Sequence, residues 1–205
     1  MKFFLKKVNK LNRGYTIIET MIAISIFLVV IMIGMDTLLN ANLVHRKSQD
    51  MRSIIDNLSF IMEDMSRNLR TGYNYHCGDF SNIESPQSCV SDNIIFFEES
   101  SNGESGDVSD QWGYKIDLAT NGTDYSIYKS IEGGAVGTWI PLNIEEEVKI
   151  DPNASSFSVI GAEPQPDTQQ PFVTIRLVGT ITYRNIDTPF SLQTSVSQRL
   201  VDIVI

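Results

Sequence analysis

The sequence predicts an α+β fold in which one long N-terminal helix, spanning a membrane with its first half, packs its second half on an antiparallel β-sheet head. Three observations lead there. Residues Tyr15 to Met35 form an apolar run whose only charge is Glu19. A helical apolar stripe follows without any proline before Gly72. After Tyr114 the pattern changes to short alternating segments separated by Gly, Asn, Asp and Pro.

Composition sets the frame. The chain has 205 residues, 42% of them hydrophobic, enough for one ordinary domain and an appendage. Its net charge is −9, but Lys2, Lys6, Lys7, Lys10 and Arg13 stand without an acid in the first 14 residues, leaving −14 on the remainder. A basic head before an apolar run orients a membrane segment with the basic side cytoplasmic, which sends everything after Asp36 outward. The acidic body is a poor partner for nucleic acid.

The apolar run is 21 residues long, sufficient at ~1.5 Å per residue to cross a ~30 Å hydrocarbon core. A secretory signal peptide places small residues after its apolar stretch. Here Gly14 precedes it, so cleavage at this junction removes only the basic leader and leaves the helix on the mature chain. An ionised acid in such a segment costs roughly 2.5–3.5 kcal/mol on insertion scales, so Glu19 needs a partner, a task, or an escape to the cytoplasmic interface.

The basic leader ending in Gly14, followed by Tyr15-Thr16-Ile17-Ile18-Glu19 at the head of an apolar helix, resembles the type IV prepilin family over roughly the first 35 residues. The resemblance implies that a membrane peptidase cuts after Gly14 and methylates the new amino terminus at Tyr15, where the family usually has Phe. It implies that Glu19 meets the terminal amino group of a neighbouring subunit during filament growth. It also implies the ladle shape of pilins, and as partners other pilins or pseudopilins, the prepilin peptidase, the assembly platform and the membrane. Before assembly the protein would sit in the cytoplasmic membrane with its head extracytoplasmic, and afterwards in an extracellular or periplasmic filament. Many major pilins carry a proline in the apolar segment, where this chain has Gly34-Met35-Asp36. With a mature length of 191 residues and the tract LSFIMEDMSRNLR, the chain looks like a larger minor pilin or a J-type pseudopilin of type II secretion. Such proteins form the complex that primes the filament tip, and Glu19 argues for a place beneath the tip-most subunit. A pilus, a secretion pseudopilus and a DNA-uptake filament fit the residues equally.

The division expected is a leader over 1–14, a membrane half over 15–36, an amphipathic half over 37–72 and a β-rich head over 73–205. In the second helix half Met51, Ile54, Ile55, Leu58, Ile61, Met62, Met65 and Leu69 recur every three or four residues, with Arg52, Asp56, Glu63, Asp64, Arg67 and Arg70 between them. The helix should run from Tyr15 to Thr71, with Gly72 in the left-handed position after its end. Residues 73–111 read as a long connecting region, including the tract SSNGESGDVSD, interrupted by one strand at Asn93–Glu98. Strands are expected over Tyr114–Leu118, Asp124–Ile131, Thr138–Leu142, Glu147–Ile150, Ser156–Ile160, Phe172–Arg184 and Phe190–Val201, with Gly161–Pro171 a loop. The last two strands should form a hairpin about the turn Asn185-Ile186-Asp187-Thr188-Pro189, with Val173, Ile175 and Leu177 on one face and Leu192, Thr194 and Val196 on one face of the partner.

Cys77 and Cys89 are the two cysteines, both beyond the membrane segment, and one disulfide is the natural reading for that compartment. A metal site from His76, Cys77 and Cys89 lacks a second close-spaced pair. The loops Asp107–Asp110 and Asn121–Asp124 are similar to calcium-binding loops only in composition, match no EF-hand spacing and read better as solvated turns. The sequons at Asn121 and Asn153 are likewise ordinary turn chemistry. With His45 beside the membrane, His76 in a loop and no nucleophile elbow or H-E-x-x-H pair, no catalytic constellation, cofactor, metal or small-molecule substrate is expected. The alternative to a filament subunit is an anchored extracytoplasmic binding domain that never polymerises, for which the Gly14 and Glu19 pairing has no use.

Overall fold

The computed structural model describes residues 14–78, 85–99, 107–164, 169–183 and 186–199, apart from the side chains of Val108 and Tyr183. It shows an α+β protein built from one long apolar helix and antiparallel sheets. Helix α1 spans Ile17–Thr71. By its internal contacts the chain divides into two units, Met1–Ser48 and Gln49–Ile205.

In the first unit the described residues are the N-terminal part of α1 with the three residues before it, nearly all exposed. The hydroxyls in this stretch are satisfied within the helix. Thr20 donates to the carbonyl of Ile17, Ser25 to Met21 and Thr37 to Ile33, at 2.8–2.9 Å. Each polar side chain of that kind therefore brings no unmet donor into an apolar solvent.

In the second unit α1 presents Ile54, Leu58, Ile61, Met62, Met65 and Leu69 to the core, at the spacing that puts all six on one face. Arg52, Asp56, Glu63, Arg67 and Arg70 are exposed, as expected, and so is Ile55, although it shares the spacing of the apolar stripe. The first sheet runs in the order β1 (Tyr73–Cys77), β3 (Ile94–Glu98), β4 (Trp112–Leu118), β5 (Tyr125–Ser130), β6 (Ile140–Pro141). The second runs β10 (Ile186–Ser197), β9 (Phe172–Tyr183), β8 (Ser156–Ile160), β2 (Cys89–Asp92), with β7 (Val148–Ile150) also paired to β9. Ile95, Phe97, Tyr114 and Ile127 from the first sheet and Phe157, Val159, Val173, Ile175 and Leu177 from the second join the helix stripe in one core. Buried Asn143 ties the sheets together. Its Oδ1 accepts from the Ile127 N–H at 2.8 Å and its Nδ2 donates to the Val148 carbonyl at 3.1 Å.

Several expectations are corrected. Residues 73–111 are no simple connection. β1 and β2 flank the described gap, and polar residues such as Asn74, Ser91 and Asp92 hide them from a pattern search because their strands are short and lie at sheet edges. Gly72 does not take the left-handed conformation. It is needed for close approach, since a Cβ there would collide with the Phe97 ring and lie 3.1 Å from the Glu98 carbonyl oxygen. The pairing of β9 with β10 takes in residues expected to form the turn. Ile186 already pairs with Tyr183, so Ile186 through Pro189 belong to the strand. β10 is an edge strand, where a proline is tolerated. The faces of the hairpin are as read, with Leu192, Thr194 and Val196 opposite Leu177, Ile175 and Val173. Residues 79–84, 100–106 and 200–205, and with them part of the SSNGESGDVSD tract and the end of the last expected strand, lie outside the described residues.

Candidate functional site

The residues singled out for processing and assembly sit at the start of α1. Gly14, Tyr15 and Thr16 are non-helical and exposed, Tyr15 by 81%. Thr16 occupies the N-cap position. The N–H of Glu19 faces both its carbonyl oxygen at 3.1 Å and its Oγ1 at 3.4 Å, and Thr20 donates to the same carbonyl at 3.2 Å. Glu19 thus stands third in the helix, in the first turn, where a carboxylate is favoured by the unpaired N–H groups and the helix dipole. The Thr16-x-x-Glu19 spacing is that of a capping box, a local signal of the helix start that the sequence carries alongside the processing residues. Gly14 and Tyr15 thus lie on exposed, non-helical backbone just before the helix.

The site consists of a residue without a side chain followed by an aromatic one, with a lone carboxylate in the first turn of the helix beyond them. Length and composition qualify α1 to cross a membrane once. Glu19 is the acid in its first turn.

In the head, Cys77 closes β1 and Cys89 opens β2, and the structure joins their sulfurs, with Cα atoms 6.1 Å apart. Since β1 lies in one sheet and β2 in the other, this link spans the two sheets. The two sulfurs being bonded to each other, neither serves a metal together with His76. His76 lies in β1 rather than in a loop, buried and stacked on Phe96 with ring centroids 5.5 Å apart. Burial holds its imidazole below the ordinary histidine range, against a weak bond of Nδ1 to the Asn74 carbonyl at 3.3 Å. Among the described residues no group of three or more His, Cys, Asp or Glu side chains is arranged to hold a metal.

The two candidate calcium loops are internally bonded turns. Asp107 Oδ1 accepts from the N–H of Ser109 at 2.9 Å and caps the 3₁₀ turn Val108–Asp110. Asn121 Oδ1 accepts from the N–H groups of Thr123 and Asp124, both at 3.0 Å, while Asp124 pairs with Lys149 at 3.3 Å.

Sequence reading missed one polar cluster, around Glu98. This residue follows Ile94 and Phe96 at strand spacing and is fully buried. Gln111 Nε2 donates to its Oε1 at 3.2 Å, and its Oε2 has no partner among the described residues. Burial pushes the Glu98 carboxyl up, the bond from Gln111 opposes this, and the nearby Asp110 and Asp107 add to the rise.

No curated protein and no solved structure matches the chain. Residues 9–35 are matched by the family model for the prokaryotic N-terminal methylation motif, so the stretch that contains Gly14, Tyr15 and Glu19 is a methylation-type N-terminus of the kind carried by type IV pilin-like proteins.

Proposed function

We propose that this chain is a structural subunit of a type IV pilin-like filament, made as a prepilin, cut after Gly14 and methylated at Tyr15. The observation that carries the reading is the position of the methylation motif, whose cleavable Gly14–Tyr15 bond stands two residues before an apolar helix with Glu19 in its first turn. After processing, α1 stays on the mature chain as its single membrane anchor, with the head outside the cytoplasm.

Assembly then follows from electrostatics. In an apolar bundle of helices, the new terminal amine of Tyr15 and the carboxylate of Glu19 are each costly alone, and pairing them between neighbouring subunits relieves both while fixing their axial register. The disulfide of Cys77 and Cys89 belongs to the same picture, since an extracytoplasmic head matures in an oxidising compartment. The absence of a helix proline and the tract LSFIMEDMSRNLR favour a minor pilin or J-type pseudopilin placed below the tip of the filament, among other pilins and on the common assembly platform.

The test is the mature mass. In a host with a prepilin peptidase, the wild-type chain should lose its first 14 residues and gain one methyl group. Gly14→Val should stay uncut, because a side chain at the scissile position cannot be accommodated. An intact wild-type chain would instead indicate a plain signal anchor.

A further inference from the structure

In the head, α1 and the turn between β6 and β7 enclose a groove of about 270 Å³, with Asn57, Phe60 and Ile61 on the helix side and Leu142, Ile144 and Glu147 on the other. Phe60 is 69% exposed and Ile144 52% exposed, so the groove presents apolar surface that no described residue covers. Its rim is acidic. Glu147 lines the wall and Glu146 beside it is exposed, while the carboxylate of Glu145 is engaged by the Tyr128 hydroxyl at 2.7 Å and the Thr120 N–H at 3.0 Å. None of the lining residues is basic. The occupant that fits is an aliphatic side chain with a cation next to it.

The same helix carries that combination on another face. Ile55 is apolar and 41% exposed, left out of the core although it shares the spacing of the buried stripe. Arg52 is exposed one turn earlier, at the three-residue spacing that sets two helix side chains next to each other. Five residues separate Ile55 from Phe60, which places them roughly 140° apart around the helix. Ile55 therefore cannot fill the groove of its own chain.

We propose that the groove receives Ile55 and Arg52 of a second copy of this chain, with Ile55 against Phe60 and Ile144 and the Arg52 guanidinium on the Glu147 carboxylate. The two surfaces are different patches, so the contact is heterologous. Each copy offers one patch and receives the other, and the contact repeats along a row instead of closing on a pair. It rests on the filament reading and names head surfaces that meet within the filament. An apolar cavity of ~150 Å³ is enough to hold benzene, so this groove seats a branched side chain and little more. That is too little to join two proteins in free solution. The contact acts between subunits already held side by side, where a high effective concentration makes up for the small area.

Paired cysteines in the full chain, in membranes of the native host, test this. Ile55 and Ile144 are exposed, so replacing them leaves the core intact, and the two native cysteines are bonded to each other. Copies with Ile55→Cys, coexpressed with differently tagged copies with Ile144→Cys, should be joined by a short thiol-specific linker, and either variant alone should give no dimer. Glu147→Lys added to the Ile144→Cys copy should lower the yield about 10-fold or more, and Arg52→Glu added to the Ile55→Cys copy should restore it, as for a close charge pair across an interface. Equal dimer from one variant alone would overturn the proposal, because the contact would then be isologous. So would an Ile144→Cys copy that links to a different pilin and never to Ile55→Cys. Absence of linkage in chains that are cut after Gly14 and assemble overturns the contact and leaves the filament reading standing, whereas chains that stay uncut and unassembled overturn both.

Discussion

The hydroxyl of Tyr75 lies 2.5 Å from the carbonyl oxygen of Leu69 and 2.6 Å from that of Gly72, so a side chain of β1 caps the C-terminus of α1. The last carbonyls of a helix have no partner within it. Here Asn68 accepts from the Gly72 N–H, Arg70 accepts from the Arg199 N–H, and Tyr75 serves Leu69 and Gly72. Burial raises the phenol above its ordinary pKa, which keeps the proton available as donor. Tyr75→Phe leaves the Leu69 carbonyl buried without a donor, and the head should lose about 1–3 kcal/mol. Chemical unfolding of the detergent-solubilised chain measures this, and an unchanged midpoint would show that water takes over the cap.

Replacing Glu19 separates insertion from assembly. Glu19→Ala should insert at least as readily as the wild type, by a margin of roughly 2 kcal/mol or more, and should still be cut after Gly14. Assembly should fail, because an unpaired buried amine at a neighbour's Tyr15 typically costs ~3–5 kcal/mol. Crosslinking to partner pilins and filament counts in a deletion strain read the outcome. Wild-type filament numbers would show that Glu19 serves only the helix start it shares with Thr16.

Cys77 and Cys89 enclose a 13-residue loop, for which the chain-entropy model gives on the order of 3 kcal/mol. In protein purified from its native host, alkylation without reductant should label neither thiol. Reduction, or the double change to serine, should lower the thermal midpoint of the head, since the link joins an end of one sheet to an end of the other. Labelling before reduction would rule out the bridge in the mature protein.

Two buried titratable groups set opposite limits on pH. The Glu98 carboxyl is raised in the fold, so its contribution is fully present below its ordinary value of 4.5 and is lost as pH rises through the folded value. His76 is lowered, so its contribution is present above 6.5 and is lost as pH falls through the folded value. The head should be most stable where both are neutral. Glu98→Gln keeps the bond to Gln111 possible and removes the charge, so it should raise the thermal midpoint at pH 8 and change it little at pH 4. An equal offset at both values would show a packing effect instead.

The methylation-type N-terminus, the apolar helix that follows it and the core face of the second half of α1 were legible in the sequence by itself. Each depends on residues near one another in the chain. A glycine before an apolar run, a lone acid in its first turn and a stripe at helical spacing need no partner from elsewhere to be recognised. The same holds for the long hairpin, whose Val173, Ile175 and Leu177 alternate with Thr174 and Arg176. Tertiary structure alone decided what depends on distant contacts. β1 and β2 are strands because β3 and β8 supply their hydrogen bonds, although their own residues are largely polar. Gly72 is a glycine because Phe97 packs against its backbone, and local sequence could name only its turn propensity. Glu98 is legible in the sequence only as the end of a strand, and the fold buries it beside Gln111, since burial is set by what the rest of the chain places over a residue.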